Sequence, residues 1–156
     1  MSNLNNQAPS FELKNTNKES VSLDSFKGKT VVLAFYPGAF TGVCDTEMCT
    51  FNDNLSKLND SNAVVLGISV DSPWSNGAFK EKYGIEFELL SDYERSVVSD
   101  YDVTFTGLGG LDSYVSANRA VFVLNSEGIV KYKWVAENPG VEPNYDEVLA
   151  EVDELV

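Results

Sequence analysis

The 156-residue chain carries 24 acidic against 11 basic side chains, a formal net charge of −13, and no histidine. That balance excludes nucleic acid and anionic membrane as partners, since both recruit basic surface, and the missing imidazole excludes Cys–His, Ser–His–Asp and His-ligated metal chemistry. With 43% apolar residues, the length predicts a single domain over residues 1–156, able to bury a full core without disulfide or metal staples.

The opening "MSNLNNQAPS" is polar and uncharged, so no charged-then-apolar leader is visible. The longest apolar runs are too short to span a bilayer, and the expectation is a soluble cytoplasmic protein whose two cysteines stay reduced. "SFELKNT" and "SVSL" read as an N-terminal hairpin, and "TVVLAFY" (30–36) as a strand covered on both faces. From about Gly42 to Leu58, Val43, Phe51, Leu55 and Leu58 recur at roughly helical spacing, with Asp45 and Glu47 in the first turn, where negative charge suits a helix start. "AVVLGISV" (63–70) is a second buried strand, and "DSPWSNGAFKEKYG" a helix entered at Pro73 and stopped by Gly84.

"FELLSD" predicts a short strand, and a short helix follows from about Tyr93 to Tyr101. "VTFTGLGGLDSYVSA" has turn residues and no sustained period, so it reads as a long loop. Its "GLGGL" resembles a phosphate loop only superficially, lacking the Lys-Ser/Thr that should follow. "RAVFVLN" with "SEGIV" and "KYKWV" predicts a hairpin, and "NYDEVLAEVDELV" an amphipathic helix with Tyr145, Val148, Leu149, Val152 and Leu155 on one face. Together these elements predict a three-layer α/β domain with a mostly parallel, partly antiparallel sheet.

Both cysteines lie in "YPGAFTGVCDTEMC" (36–49), five positions apart at the head of the first helix. In one intact α-helix their Cα atoms would be about 7.5 Å apart along the axis and about 140° around it, roughly 8–9 Å in all. A disulfide requires less than about 7 Å. Either the two thiols never meet, or the helix unwinds in step with redox state.

Cys44 stands near the helix start, where free N–H groups favour a thiolate by about 0.3–1 kcal/mol. Lowering a thiol from about 8.5 to about 6 takes about 3.4 kcal/mol, so a fixed cation is wanted; one at about 4 Å supplies up to about 4 kcal/mol at an effective dielectric near 20. The chain has two arginines. Arg95 sits in a polar helix start and reads as a surface residue, whereas Arg119 precedes the apolar "AVFVL" and is the better candidate. Ionisation alone raises reactivity at most about 30-fold at neutral pH; more requires donors aimed at the reacting oxygens. Thr41, three residues before Cys44 at the helix cap, is placed either to cap a backbone N–H or to contact a substrate oxygen. Pro37 brings a rigid ring without an N–H, suited to covering a sulfur.

Pro37, Thr41 and Cys44 form P-x-x-x-T-x-x-C after an apolar strand, which with Arg119 resembles the peroxidatic signature of the peroxiredoxins. The resemblance extends through "APSFEL", "GISVDSP", "LLSDY" and "NRAVFVLNSEGIV" to the closing helix. It implies a thioredoxin-like α/β fold, with a central mixed β-sheet flanked by helices and an N-terminal β-hairpin. It further implies a thiol peroxidase acting on hydrogen peroxide and organic hydroperoxides, without a cofactor. Cys44 would be the peroxidatic nucleophile, and Thr41 with the backbone N–H groups of Val43 and Cys44 would hold the peroxide. Arg119 would stabilise thiolate and transition state, Pro37 would shield the sulfur, and Glu47 would orient Arg119.

Cys49 resembles the resolving cysteine of the Q-type subgroup, the bacterioferritin comigratory proteins, which close an intramolecular disulfide reduced by thioredoxin or a similar dithiol donor. "SPWSNGAFKEKYGIEFELLSDY" looks closer to the one-cysteine E-type branch, in which Cys49 would be structural. A homodimer is also implied by the resemblance. Phe40, Trp74 and Phe105 are candidates for an access channel or a subunit contact, with ordinary packing as the default. Beside the peroxidase stand two other readings of the residues: a general thiol–disulfide oxidoreductase, disfavoured by the absent C-x-x-C, and a catalytically silent thioredoxin-fold binding module.

Overall fold

A computed structural model describes residues 3–155; the side chains of Val43 and Cys44 lie outside the described residues. The six-residue run "TVVLAF" forms β3 (Thr30–Phe35), and every one of its residues is buried. Alternation along this strand sends Val31, Leu33 and Phe35 to one hydrophobic core and Val32 and Ala34 to another, one on each face of the sheet. An unbroken apolar strand is what two covered faces require.

The hairpin at the N-terminus is β1 (Glu12–Lys14) paired antiparallel with β2 (Ser20–Ser22). With β4 (Ala63–Ser69), β5 (Glu88–Ser91), β8 (Ala120–Leu124) and β9 (Val130–Val135), they build a seven-stranded sheet in the order β2-β1-β5-β4-β3-β8-β9. The parallel part is confined to β3, β4 and β5, while β1, β2, β8 and β9 join antiparallel, so the sheet is mixed and not mostly parallel. The reason is the connections. Helical crossovers return β4 and β5 in the direction of β3, whereas β8 and β9 are joined by the tight turn Asn125–Gly128.

Four helices back the second core: α1 (Val43–Asp53), α2 (Leu55–Asp60), α3 (Pro73–Tyr83) and α5 (Tyr145–Glu154), contributing Phe51, Leu58, Phe79, Val148 and others. Val97 and Val98 of α4 (Ser96–Asp100) pack into the opposite core with Phe35, Tyr101 and Phe122. Pro73 and the left-handed Gly84 (φ 62°) bound α3 as the sequence predicts. The helix expected over 42–58 instead breaks at Asn54, whose Nδ2 donates to the Thr50 carbonyl, 2.9 Å, with the backbone at φ −99°, ψ 6°. The short helix expected from about Tyr93 is α4 and starts only at Ser96, because Arg95 is left-handed (φ 63°) and the Asp92 carboxylate accepts from the Val97 and Val98 N–H groups.

The stretch expected to be a long loop is a second small sheet. β6 (Thr104–Thr106) pairs antiparallel with β7 (Val115–Ala117) across a turn through Leu108–Gly110. Three-residue strands are too short for a period to register in the sequence.

Candidate active site

β3, the loop after it and the start of α1 carry the predicted signature in one continuous segment. Pro37 is buried at the strand exit. The helix cap is Gly42 (φ 76°, ψ −85°), which has no side chain to cap with, and Thr41 lies one residue before it. The Thr41 hydroxyl donates to the Gly38 carbonyl, 2.6 Å, closing the loop.

Val43 and Cys44 are the first two helical residues, and the first bond of the ladder is Thr46 N–H to the Gly42 carbonyl, 3.2 Å. The N–H groups ahead of it belong to the set that a helix cannot satisfy internally and that favours negative charge. The side chains of Cys44 and Val43, the predicted nucleophile and its neighbour, lie outside the described residues.

One turn further, Glu47 is fully buried and meets Arg119, 1% exposed, with Nη1 to Oε1 at 3.0 Å. Arg119 precedes β8 and is aimed by its surroundings: Nε and Nη2 donate to the Pro139 carbonyl at 3.0 and 2.8 Å, and its backbone is fixed by Asn118 and Ala136. Thus Arg119 and Glu47, 72 positions apart, are brought together as the sequence reading expected, and Arg119 is in the interior. Arg95 sits at the rim of the molecule, half-buried, with Nε donating to Val115 and its guanidinium over the Tyr114 ring.

Burial pushes the Glu47 carboxyl from the ordinary 4.5 up to about 8, a cost of desolvation that Arg119 offsets only in part and to which Glu142 adds. Oε2 has no hydrogen-bond partner among the described residues, while Oε1 accepts from Arg119. Burial thus favours the neutral acid, while the Arg119 guanidinium favours the carboxylate.

Cys49 faces elsewhere. It is half-buried on the side of α1 turned to α3, in a shallow hollow lined by Gly42, Asp45, Thr46, Thr50, Asp53 and Tyr83. Burial first, then the charges of Asp53 and Asp45, raise its thiol pKa. The Tyr83 hydroxyl donates to Asp45 Oδ2, 2.7 Å, tying the end of α3 to the first turn of α1. The sequence alone marks neither Asp45 nor Tyr83 as a site residue, because nothing in a local pattern reports a contact 38 positions long. Among the described residues no group of three or more Cys, Asp or Glu is gathered to hold a metal ion, and no helix is long and apolar enough to cross a membrane.

The geometry is matched by kinship. The model of the AhpC/TSA family matches residues 4–133. The chain belongs to this family. It is similar to the peroxiredoxin Bcp of Bacillus subtilis, 37% identical over 128 residues that cover 82% of each chain. Among solved structures it resembles the peroxidoxin BcpB of Mycobacterium tuberculosis (TM-score 0.86, 26% identity, 100% of this chain and 99% of that one). It also resembles the Xanthomonas campestris bacterioferritin comigratory protein studied for alkyl peroxide reduction (TM-score 0.81, 28% identity, 92% and 90% covered). This chain is thus a peroxiredoxin of the Bcp/Q type with a thioredoxin-like fold, and the general thiol–disulfide oxidoreductase and the silent binding module fall away. A peroxiredoxin works on peroxides at the expense of a thioredoxin-like reductant.

Proposed function

We propose that Cys44 is the peroxidatic nucleophile and Cys49 the resolving thiol of a two-step cycle. The Cys44 thiolate attacks one peroxide oxygen; the O–O bond breaks, the sulfur is oxidised to a sulfenic acid, and the distal oxygen leaves as water or an alcohol after taking up a proton. The Cys49 thiol then displaces hydroxide from the Cys44 sulfenic sulfur, the lost proton and hydroxide forming water, and a disulfide results. A thioredoxin-like dithiol restores both thiols and is itself oxidised.

The observation that carries this reading is the buried Arg119, held by the buried Glu47 one helical turn from position 44. A cation there supports both the thiolate and the negative charge that develops on the peroxide oxygens. Thr41 Oγ1 and the N–H groups of Val43 and Cys44 complete the set of groups that would hold the peroxide, and the buried Pro37 screens the sulfur from water. Alkyl hydroperoxides join hydrogen peroxide as substrates on the strength of the Xanthomonas relative. Self-association, with the exposed Phe40 and Trp74 (47% and 70% accessible) as contact residues, and a cytoplasmic setting extend the reading by kinship.

Stopped-flow tryptophan fluorescence with hydrogen peroxide tests the first step: wild type reacts rapidly and Cys44→Ser does not. A Cys44→Ser variant as fast as wild type would end the claim. Mass spectrometry after one equivalent of peroxide tests the second: loss of two hydrogens marks the Cys44–Cys49 disulfide, and gain of one oxygen marks a one-cysteine cycle.

A further inference from the structure

The loop between β3 and α1 is a conformation that the chain does not adopt unaided. Phe40 has φ 64°, a left-handed value that residues with a Cβ avoid, and Gly42 follows at φ 76°. Two such residues in three positions persist only where the surroundings fix them. Within the loop, Thr41 Oγ1 closes onto the Gly38 carbonyl. The Phe40 ring stands edge-on to Phe79 of α3 at 5.4 Å, but it is almost half exposed, so it is a weak anchor.

The strong anchor comes from "GISVDSP", a segment to which neither Cys44 nor Cys49 chemistry assigns a part. Asp71, just past the end of β4, places Oδ2 2.8 Å from the backbone N–H of Ala39, at the middle of the loop. The same oxygen accepts from Ser69 Oγ at 2.8 Å, and the backbone N–H of Asp71 donates back to Ser69 Oγ at 3.2 Å. The Asp71 carbonyl accepts from Ser91 Oγ of β5. Ser69 and Ser91 are buried, 0% and 1% exposed, so the carboxylate is mounted on the parallel core of the sheet. Behind it, the fully buried Tyr36 and Asn76 join through their side chains at 2.6 Å, and Ser69 Oγ lies 3.3 Å from the same Asn76 oxygen. The chain of contacts runs from α3 and the sheet, through Asp71, to a single N–H of the loop.

We propose that Asp71 is a positioning residue for the peroxide-reacting loop, holding Ala39 so that Thr41 and the first N–H groups of α1 stand in register with Arg119. It touches no substrate. Its part is to remove the freedom that the left-handed Phe40 would otherwise relieve, and a displacement of the loop by even an ångström costs much of the rate of an oriented reaction. The inference rests on the reading of Cys44 as the reacting thiol.

The test compares the full chain as wild type, Asp71→Ala, Asp71→Asn and Ser69→Ala, mixing each with hydrogen peroxide in the stopped flow and recording circular dichroism beside it. Asp71→Ala, which leaves the Ala39 N–H without its acceptor, lowers the second-order rate constant about tenfold, the scale of one lost hydrogen bond. Asp71→Asn keeps an acceptor oxygen in place and stays within about threefold of wild type, which a role through charge would not allow. Ser69→Ala retains the carboxylate with one tether fewer and loses about threefold; it decides the matter if Asp71→Ala does not fold. A folded Asp71→Ala within about twofold of a fast wild type overturns the inference, as does Asp71→Asn falling as far as Asp71→Ala, or an unchanged Ser69→Ala. A wild type no faster than Cys44→Ser sinks the functional reading first and this inference with it.

Discussion

The two sides of α1 have opposite electrostatic surroundings. On the side packed against the sheet, one turn beyond position 44, Glu47 is buried against the Arg119 guanidinium, beside Met48 and Phe51, which are 0% and 2% exposed. On the side turned to α3, Cys49 lies between Asp45 and Asp53, four residues before and after it, and both raise its pKa. A cation favours thiolate and carboxylates disfavour it. One helix of eleven residues can thus hold an activated thiol and a dormant one, with no histidine to do either job. On the reading proposed for Cys44, the roles of the two cysteines would follow from which neighbour each helical face meets, and the spacing of five would keep those faces apart.

Removing the cation attacks the contrast most directly. Arg119→Met deletes the charge while keeping an apolar stem in the interior, and Glu47, already inclined to stay protonated, then remains neutral. The second-order rate constant with peroxide is expected to fall about a hundredfold, as for the loss of a preorganised donor at a developing charge. A fall under about threefold, with the fold retained, would place the activation elsewhere. Arg119→Lys should recover only part of the rate, because an ammonium cannot serve both Pro139 and Glu47 as the planar fork does.

Glu47→Gln gives a smaller effect that depends on pH. The folded-state pKa of Glu47, about 8, lies above its ordinary 4.5, so the folded protein binds the proton more tightly than the unfolded chain. The stability this contributes is fully present below about pH 4.5 and is lost as pH rises through about 8. Urea unfolding at about pH 5, 7 and 9 should therefore show wild type losing stability relative to Glu47→Gln as pH increases. Peroxide reactivity should follow: once Glu47 ionises it cancels Arg119, so the wild-type rate declines by a few-fold above about pH 8 while Glu47→Gln keeps its plateau. Parallel pH profiles for the two proteins would mean that Arg119 does not act through its net charge.

Much of this was legible in the chain itself, for identifiable reasons. "TVVLAFY" and "AVVLGISV" announce buried strands because continuous apolar runs admit few other uses, and Pro73 with Gly84 brackets α3 because each has a backbone rule of its own. Arg119 could be picked out since it borders an apolar strand and has one rival. What stayed hidden was whatever depends on non-local partners or on short elements. The sheet's antiparallel share follows from β8 meeting β3, a pairing across some ninety positions that local pattern does not encode. The β6–β7 hairpin has strands of three residues, and the break at Asn54 depends on one side chain turning back to Thr50. Asp71 and Tyr83 were equally silent, since an Asp after a strand or a Tyr ending a helix declares nothing until its partner is known.

The smallest effect tests whether the two faces communicate. The end of α3 and the turn after it grip α1 at both ends: Tyr83 donates to Asp45 Oδ2 in the first turn, while Asn52 near the last donates to the Gly84 carbonyl at 3.0 Å and accepts from the Glu86 N–H at 2.8 Å. If the first turn must unwind for Cys49 to reach position 44, the Tyr83 bond has to break and the Asn52 bonds need not. The raised pKa of Tyr83, due first to its hydrogen bond with Asp45, keeps that hydroxyl a donor. Tyr83→Phe removes the hydroxyl and leaves the ring against Phe79. With one partly exposed hydrogen bond removed, disulfide formation should speed up about two- to fivefold. The preceding reaction with peroxide should be unaltered, since Arg119 and Glu47 stand on the other side of the helix. Quenched-flow mass spectrometry resolves the two steps, and amide exchange should rise by the same factor over the first turn of α1 but not around Asn52. An unchanged resolution rate alongside faster exchange would show that opening does not limit the disulfide, and the link between the two faces would have to be sought in the chemistry of Cys49 itself.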